Sequence, residues 1–131
     1  MNQRTRDRFD RQLEQVLAAM PPLVHGLLEK IPLHVEDFPS REVMEEKAID
    51  NPEELCGLFT GVALPEKSIE HSAMLPDVVT LYRLGILSAA RDAWGRVTSA
   101  ALREEIRVTL LHELAHFHGL DEDELEELGY G

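Results

Sequence analysis

At 131 residues, 44% of them hydrophobic, the chain suits one compact α+β domain spanning 1–131, with enough apolar material for a core that needs no staples. Thirteen Lys and Arg stand against 25 Asp and Glu, and the resulting net charge of -12 argues against nucleic acid and anionic membranes as partners. A single cysteine excludes an intramolecular disulfide and a cysteine-based zinc cluster, so any metal must be held by histidines and carboxylates.

The first residues run into amphipathic sequence without the apolar stretch of a secretory signal, and no segment approaches a membrane span, so the cytoplasm is the expected address. From Thr5 to Met20, Phe9, Leu13, Val16, Leu17 and Met20 recur at helical spacing and predict an amphipathic helix that Pro21-Pro22 ends. Leu23 to Ile31 predicts a second, short helix behind those prolines. The alternation of Leu33 and Val35 predicts a strand closed by Pro39. Residues 40–54 are polar and read as a loop with a helical turn, punctuated by Asn51-Pro52. Cys56 has no basic neighbour to activate it and reads as a small buried hydrophobe. Leu58-Phe59-Thr60, between Gly57 and Gly61, reads as a short strand, and Val62 to Pro76 as a connection. Val78 to Arg83, rich in β-branched and aromatic residues, is the best strand in the chain. Gly85 to Trp94 returns to helical spacing.

Ser99 to His118 is the longest periodic stretch. Up to Arg107 it reads as a surface helix. From Val108 to Phe117 apolar residues point in nearly every direction, which predicts a segment buried on all sides. His112, Glu113 and His116 fall inside that segment. Burying uncompensated polar groups costs roughly 2–7 kcal/mol each, which a metal ion would offset. The two histidines, one helical turn apart, can share a tetrahedral zinc, and Glu113 points off to one side, within reach of a water on the metal. A zinc enzyme commonly takes a third protein ligand. After Gly119, where the chain can turn back, Asp121 and Glu124 have capping-box spacing for a short helix from Glu122 to Leu128. Glu122 is therefore the preferred third ligand, with Asp123 and Asp121 as alternatives. His118 faces elsewhere on the helix, and His25, His34 and His71 are scattered and carry no assigned role.

The stretch Thr109 to Gly119, with HExxH at its centre, resembles the active-site helix of the zincins, specifically the compact mini-zincin group of metallopeptidases. Leu58-Phe59-Thr60-Gly61, Leu75-Pro76-Asp77, Thr80-Leu81-Tyr82-Arg83 and Glu127-Leu128-Gly129-Tyr130 are also similar to that group, so the likeness covers residues 50 to 131 well. It implies N-terminal helices, a twisted sheet of about three strands and the motif helix packed on it. It further implies Zn2+ on His112, His116 and position 122, Glu113 as general base and Tyr130 as a supporting catalytic group. The group's third ligand is aspartate, where this chain has Glu122.

The expected activity is zinc-assisted hydrolysis of peptide bonds, with a peptide or protein substrate laid along a sheet edge, either Leu58-Thr60 or Val78-Tyr82. The rival readings are a non-catalytic zincin scaffold that serves as a metal-binding or interaction module, and a hydrolase of non-peptide amides or esters. A chain this short with apolar surface is also a candidate homodimer.

Overall fold

The computed structural model describes residues 1–61, 77–117 and 119–129. Capping side chains and proline set most of the helix starts. Asn2 Oδ1 accepts the Thr5 N–H at 2.9 Å and opens α1 (Gln3–Ala18), whose Phe9, Leu13 and Val16 turn inward. Pro22 occupies the first turn of α2 (Pro22–Lys30), which buries Val24 and Leu27. β1 (Leu33–Glu36) follows with its expected alternation, Leu33 and Val35 half-buried, His34 and Glu36 exposed. The polar stretch after it holds α3 (Arg41–Glu46), capped by Ser40, and a single 3₁₀ turn at Pro52–Glu54 whose Glu53 N–H is bound by Asn51.

β2 (Gly57–Thr60) and β3 (Val78–Tyr82) complete a three-stranded sheet of order β1-β3-β2. β1 runs parallel to β3, with Leu33 opposite Val79 and Glu36 opposite Tyr82. β2 runs antiparallel, with Gly57 opposite Leu81 and Thr60 opposite Val78. This order removes one of the two expected substrate edges: β3 is central and paired on both sides, so Val78–Tyr82 has no free edge, whereas β2 is paired on one side only among the described residues.

The chain passes directly from β3 into α4 (Arg83–Ala89). That helix stops short of Trp94, because Asp92 Oδ1 accepts the N–H groups of both Trp94 and Arg96 at 2.9 Å and folds a tight turn that Gly95 completes at φ +79. Trp94 is left exposed. α5 (Ser99–Leu114) starts at Thr98, whose Oγ1 accepts the Ala101 N–H at 3.1 Å. α6 (Glu122–Glu127) carries the expected capping box, with Asp121 and Glu124 each binding the other's backbone N–H.

One core joins these elements. Phe9, Leu13 and Val16 of α1 meet Met20 just after it, Val24, Leu27 and Ile31, Val79 and Leu81 of β3, Ile86 of α4, Leu102, Ile106, Leu110 and Leu114 of α5, and Leu128. α5 therefore lies between α1 and the sheet, touching β2, β3 and α4. Outside the core, Asp37 just after β1 binds Arg6 of α1 at 2.7 Å and Arg83 of α4 at 3.0 Å, and Arg83 also binds Asp10 at 2.9 Å. The Arg6 hydrogen bonds, with Arg83 adding to them, hold the Asp37 carboxyl below its ordinary range.

Candidate metal centre

The two candidate histidine ligands stand opposite the core stripe of α5, His112 on the helix and His116 just past its end. Leu102, Ile106, Leu110 and Leu114 are four residues apart and fully buried, while Val108 and His112, each about 200° around the helix from a member of that stripe, are not. Val108 is 43% exposed, and His112 and His116 are exposed. This corrects the expectation of a segment buried on all sides. Leu111 and Phe117 do pack against the core, but only from its margin, so the dispersed apolar residues widen the inner face and leave an outer stripe to solvent. The cost of burying imidazoles is therefore no argument for metal in this protein. Geometry has to supply it.

It does so through three groups. A ring nitrogen from each of His112 and His116 and a carboxylate oxygen of Glu113 all lie within 4.8 Å of one another. The two rings meet edge to face, with centroids 5.2 Å apart and planes at 87°. Glu113 Oε1 is 4.0 Å from His116 Nε2, and the Glu113 side chain is only 13% exposed against 56% for His116. Two nitrogens on one tetrahedral zinc are roughly 3.4 Å apart, given Zn–N bonds of about 2.0–2.1 Å, so a small side-chain adjustment brings the pair to ligand spacing. Imidazole nitrogens and a carboxylate oxygen make up the mixed N/O donor set that zinc accepts, and the exposure of the two histidines leaves room for water and substrate.

Regular helix places only the first histidine. α5 ends at Leu114, and the His116 N–H binds the Glu113 carbonyl at 3.1 Å in a tightened, 3₁₀-like closure. Phe117 is half-buried against the core, and Gly119 leaves room for its ring: a Cβ there would collide with it. Glu113 is held from the side by β2. A Cβ built on Gly57 would stand 2.8 Å from Thr109 Cγ2 and 3.1 Å from Glu113 Cγ, so only glycine lets the strand come this close to the helix. Two residues along, on the same face of the strand, the Phe59 ring lies 6.4 Å from that of His116.

Glu122 takes no part in this trio. It is the first residue of α6, exposed, with Asp121 as that helix's cap and Asp123 beside it, also exposed. Tyr130, His118, His71 and the Val62–Pro76 connection lie outside the described residues. His34 is exposed on β1, and His25 contacts the Leu17 carbonyl at 2.7 Å through Nε2. Cys56 is half-buried, and burial together with the charges of Glu105 and Glu113 pushes its thiol above the ordinary value, which keeps it protonated and unreactive. Sequence reasoning did not assign Gly57 and Phe59 to the site. Their signal, two positions on one face of a strand, becomes legible only once that face is known to meet α5.

The family model described as zincin-like metallopeptidase matches residues 28–131. The chain belongs to that family. No curated protein matches it. The match takes in every strand among the described residues and α3 to α6 entire, while α1 and most of α2 lie before it. The zincin-like family implies zinc, and the His112–Glu113–His116 trio at the C-terminal end of α5 is a group that could hold it. No helix among the described residues is long and apolar enough to cross a membrane.

Proposed function

We propose that this protein is a zinc-dependent metallopeptidase in which His112 and His116 hold the ion and Glu113 is the general base. The observation that carries the reading is the convergence of the two imidazoles and one largely buried carboxylate at a solvent-open helix end, within a zincin-like domain. Zinc held there would supply Lewis acidity, polarising the scissile carbonyl and lowering the pKa of water enough for it to attack at neutral pH. Glu113 takes a proton from the attacking water and delivers it to the leaving amine nitrogen. Its seat between Gly57 and the helix limits where the carboxylate can go, which keeps it near the attack line.

Glu122 is proposed as the third ligand, with Asp121 and Asp123 as alternatives. Asp121 is already engaged as a cap, which favours the other two. Glu122 reaches the trio by a movement of α6 or of its own side chain. Tyr130 is proposed to support the reacting carbonyl. The substrate is a peptide or protein segment lying along the side of β2 that has no partner strand among the described residues, where backbone groups would serve strand addition beside the trio. We also propose the cytoplasm as the compartment, a homodimer as the assembly and neither nucleic acid nor membrane as a partner.

The deciding experiment is metal analysis of protein purified without a tag or chelator, followed by hydrolysis assays on an unfolded protein and on small amides and esters, with Glu113→Gln as the control. One zinc per chain and cleavage of the polypeptide that Glu113→Gln abolishes are expected. Failure to take up zinc at neutral pH would sink this reading in favour of a non-catalytic scaffold. Cleavage of small amides or esters alone would replace the peptidase with the other hydrolase.

A further inference from the structure

We propose that Phe59 is a positioning residue for the metal centre: from the edge strand β2 it holds the His116 imidazole in the orientation that lets His112 and His116 share one ion. The inference rests on the zinc reading above and adds a residue to it.

His116 needs such a support. It lies beyond the last regular residue of α5, its N–H bonded to the Glu113 carbonyl instead of to the carbonyl four residues back, so helix geometry does not by itself set its distance from His112. Its side chain is 56% exposed, so core packing does not restrain the ring either. A long, exposed side chain at a helix end samples several rotamers, and each one that turns the nitrogen away from His112 lowers metal affinity by its population.

Among the described residues, the ring contacts of His116 are with His112, the other ligand, and with Phe59. The Phe59 contact has a centroid separation of 6.4 Å and an interplanar angle of 35°, inside the range of about 4.5–7 Å over which aromatic rings interact. Phe59 is itself held. It is half-buried against the core, pairs with Val79 of the central strand, and shares a strand face with Gly57, whose close seat on Thr109 and Glu113 pins β2 to α5. Core, strand, Phe59 and His116 thus form one contiguous chain of contacts, and a rigid neighbour that fixes a ligand's ring is the usual means by which a site is made selective.

The test measures zinc affinity by competition with a chromophoric chelator for wild type, Phe59→Ala, Phe59→Tyr, His116→Ala and the Phe59→Ala/His116→Ala double variant, with thermal unfolding of each alongside. Phe59→Ala is expected to bind zinc roughly tenfold more weakly, the scale on which ligand-supporting neighbours act. Phe59→Tyr is expected to stay within about threefold, and Phe59→Ala to add no loss once His116 is gone. Affinity for Phe59→Ala within twofold of wild type, or an equal further loss in the His116→Ala background, would overturn the proposal. A metal-free readout separates its failure from that of the zinc reading. In the apo protein, Phe59→Ala is expected to move the His116 ring-proton resonances more than those of His34 on the far edge strand. If wild type binds no zinc but this shift appears, the zinc reading fails and the Phe59 contact stands; if the His116 resonances do not move, the contact is refuted whatever the metal result.

Discussion

Two charged clusters flank the central strand, and they are built on opposite plans. On the β1 side, Asp37 and Asp10 meet Arg6 and Arg83, each acid facing a guanidinium at 2.7–3.0 Å and Arg83 also lying over the Phe9 ring at 5.7 Å. On the β2 side, His112, Glu113 and His116 converge without a guanidinium or ammonium among them, and the closest approach of the carboxylate to His116 is 4.0 Å. The first arrangement is complete as it stands and ties α1, β1 and α4 together. The second brings two imidazole nitrogens and a carboxylate oxygen within 4.8 Å of one another, a donor set that could hold a metal ion. A cluster that closes its own charges is structural, and one that groups possible ligand atoms is a candidate for binding.

Substitutions that break each cluster should therefore differ in kind. The largest effect is expected at the open one: His116→Ala should lower zinc affinity by at least a hundredfold in the same chelator competition, while Glu113→Gln should retain zinc and lose about 10²–10⁴-fold in hydrolysis rate. The inner stripe of the same helix should show the reverse pattern. Leu110→Ala, at a fully buried position, is expected to cost about 2–5 kcal/mol in urea unfolding, against less than about 0.5 kcal/mol for Val108→Ala on the outer stripe.

Gly57→Ala joins the two kinds of effect, because its new Cβ would press on Thr109 and Glu113 together. A loss of about 1–3 kcal/mol is expected, with a fall in turnover larger than any fall in zinc affinity, checked by unfolding, kinetics and metal titration on one preparation. The closed cluster should give the smallest change, since Arg6 remains partly solvated. The Asp37 carboxyl is held lower in the folded chain than in the unfolded one, so the folded state binds this proton less readily. Its stabilisation is full above the ordinary carboxylate value of about 3.9 and is lost as pH falls through the lowered folded value. Asp37→Asn should accordingly flatten the acid limb of a stability-against-pH curve and leave zinc binding unchanged.

Much of this protein was legible in its sequence. Periodicity, proline and capping residues located α1, α2, β1, β3 and the start of α5, and the Asp121/Glu124 spacing marked α6, because each of these signals acts within a turn or two of chain. The HExxH spacing likewise pointed to the trio, although only His112 and Glu113 lie in regular helix and a 3₁₀-like closure brings His116 alongside. The end of α4 was misread because helical spacing continues past Ala89 while the Asp92 side chain captures the backbone donors that a longer helix would need.

What only the tertiary structure decided is the environment of those residues. The motif segment is apolar enough to read as wholly buried, yet which stripe of a helix is covered depends on where its neighbours lie, and here α1 and the sheet cover one side and leave the histidines in water. Strand order decided that β3 is central and that β2 is paired on one side only among the described residues. It also placed Gly57 and Phe59 against Glu113 and His116, a contact across more than fifty residues of chain. The sequence by itself determined the local elements and the trio of candidate ligands, because backbone propensity and side-chain period are short-range properties. Exposure, edge and support come from long-range packing, which no window of neighbouring residues contains.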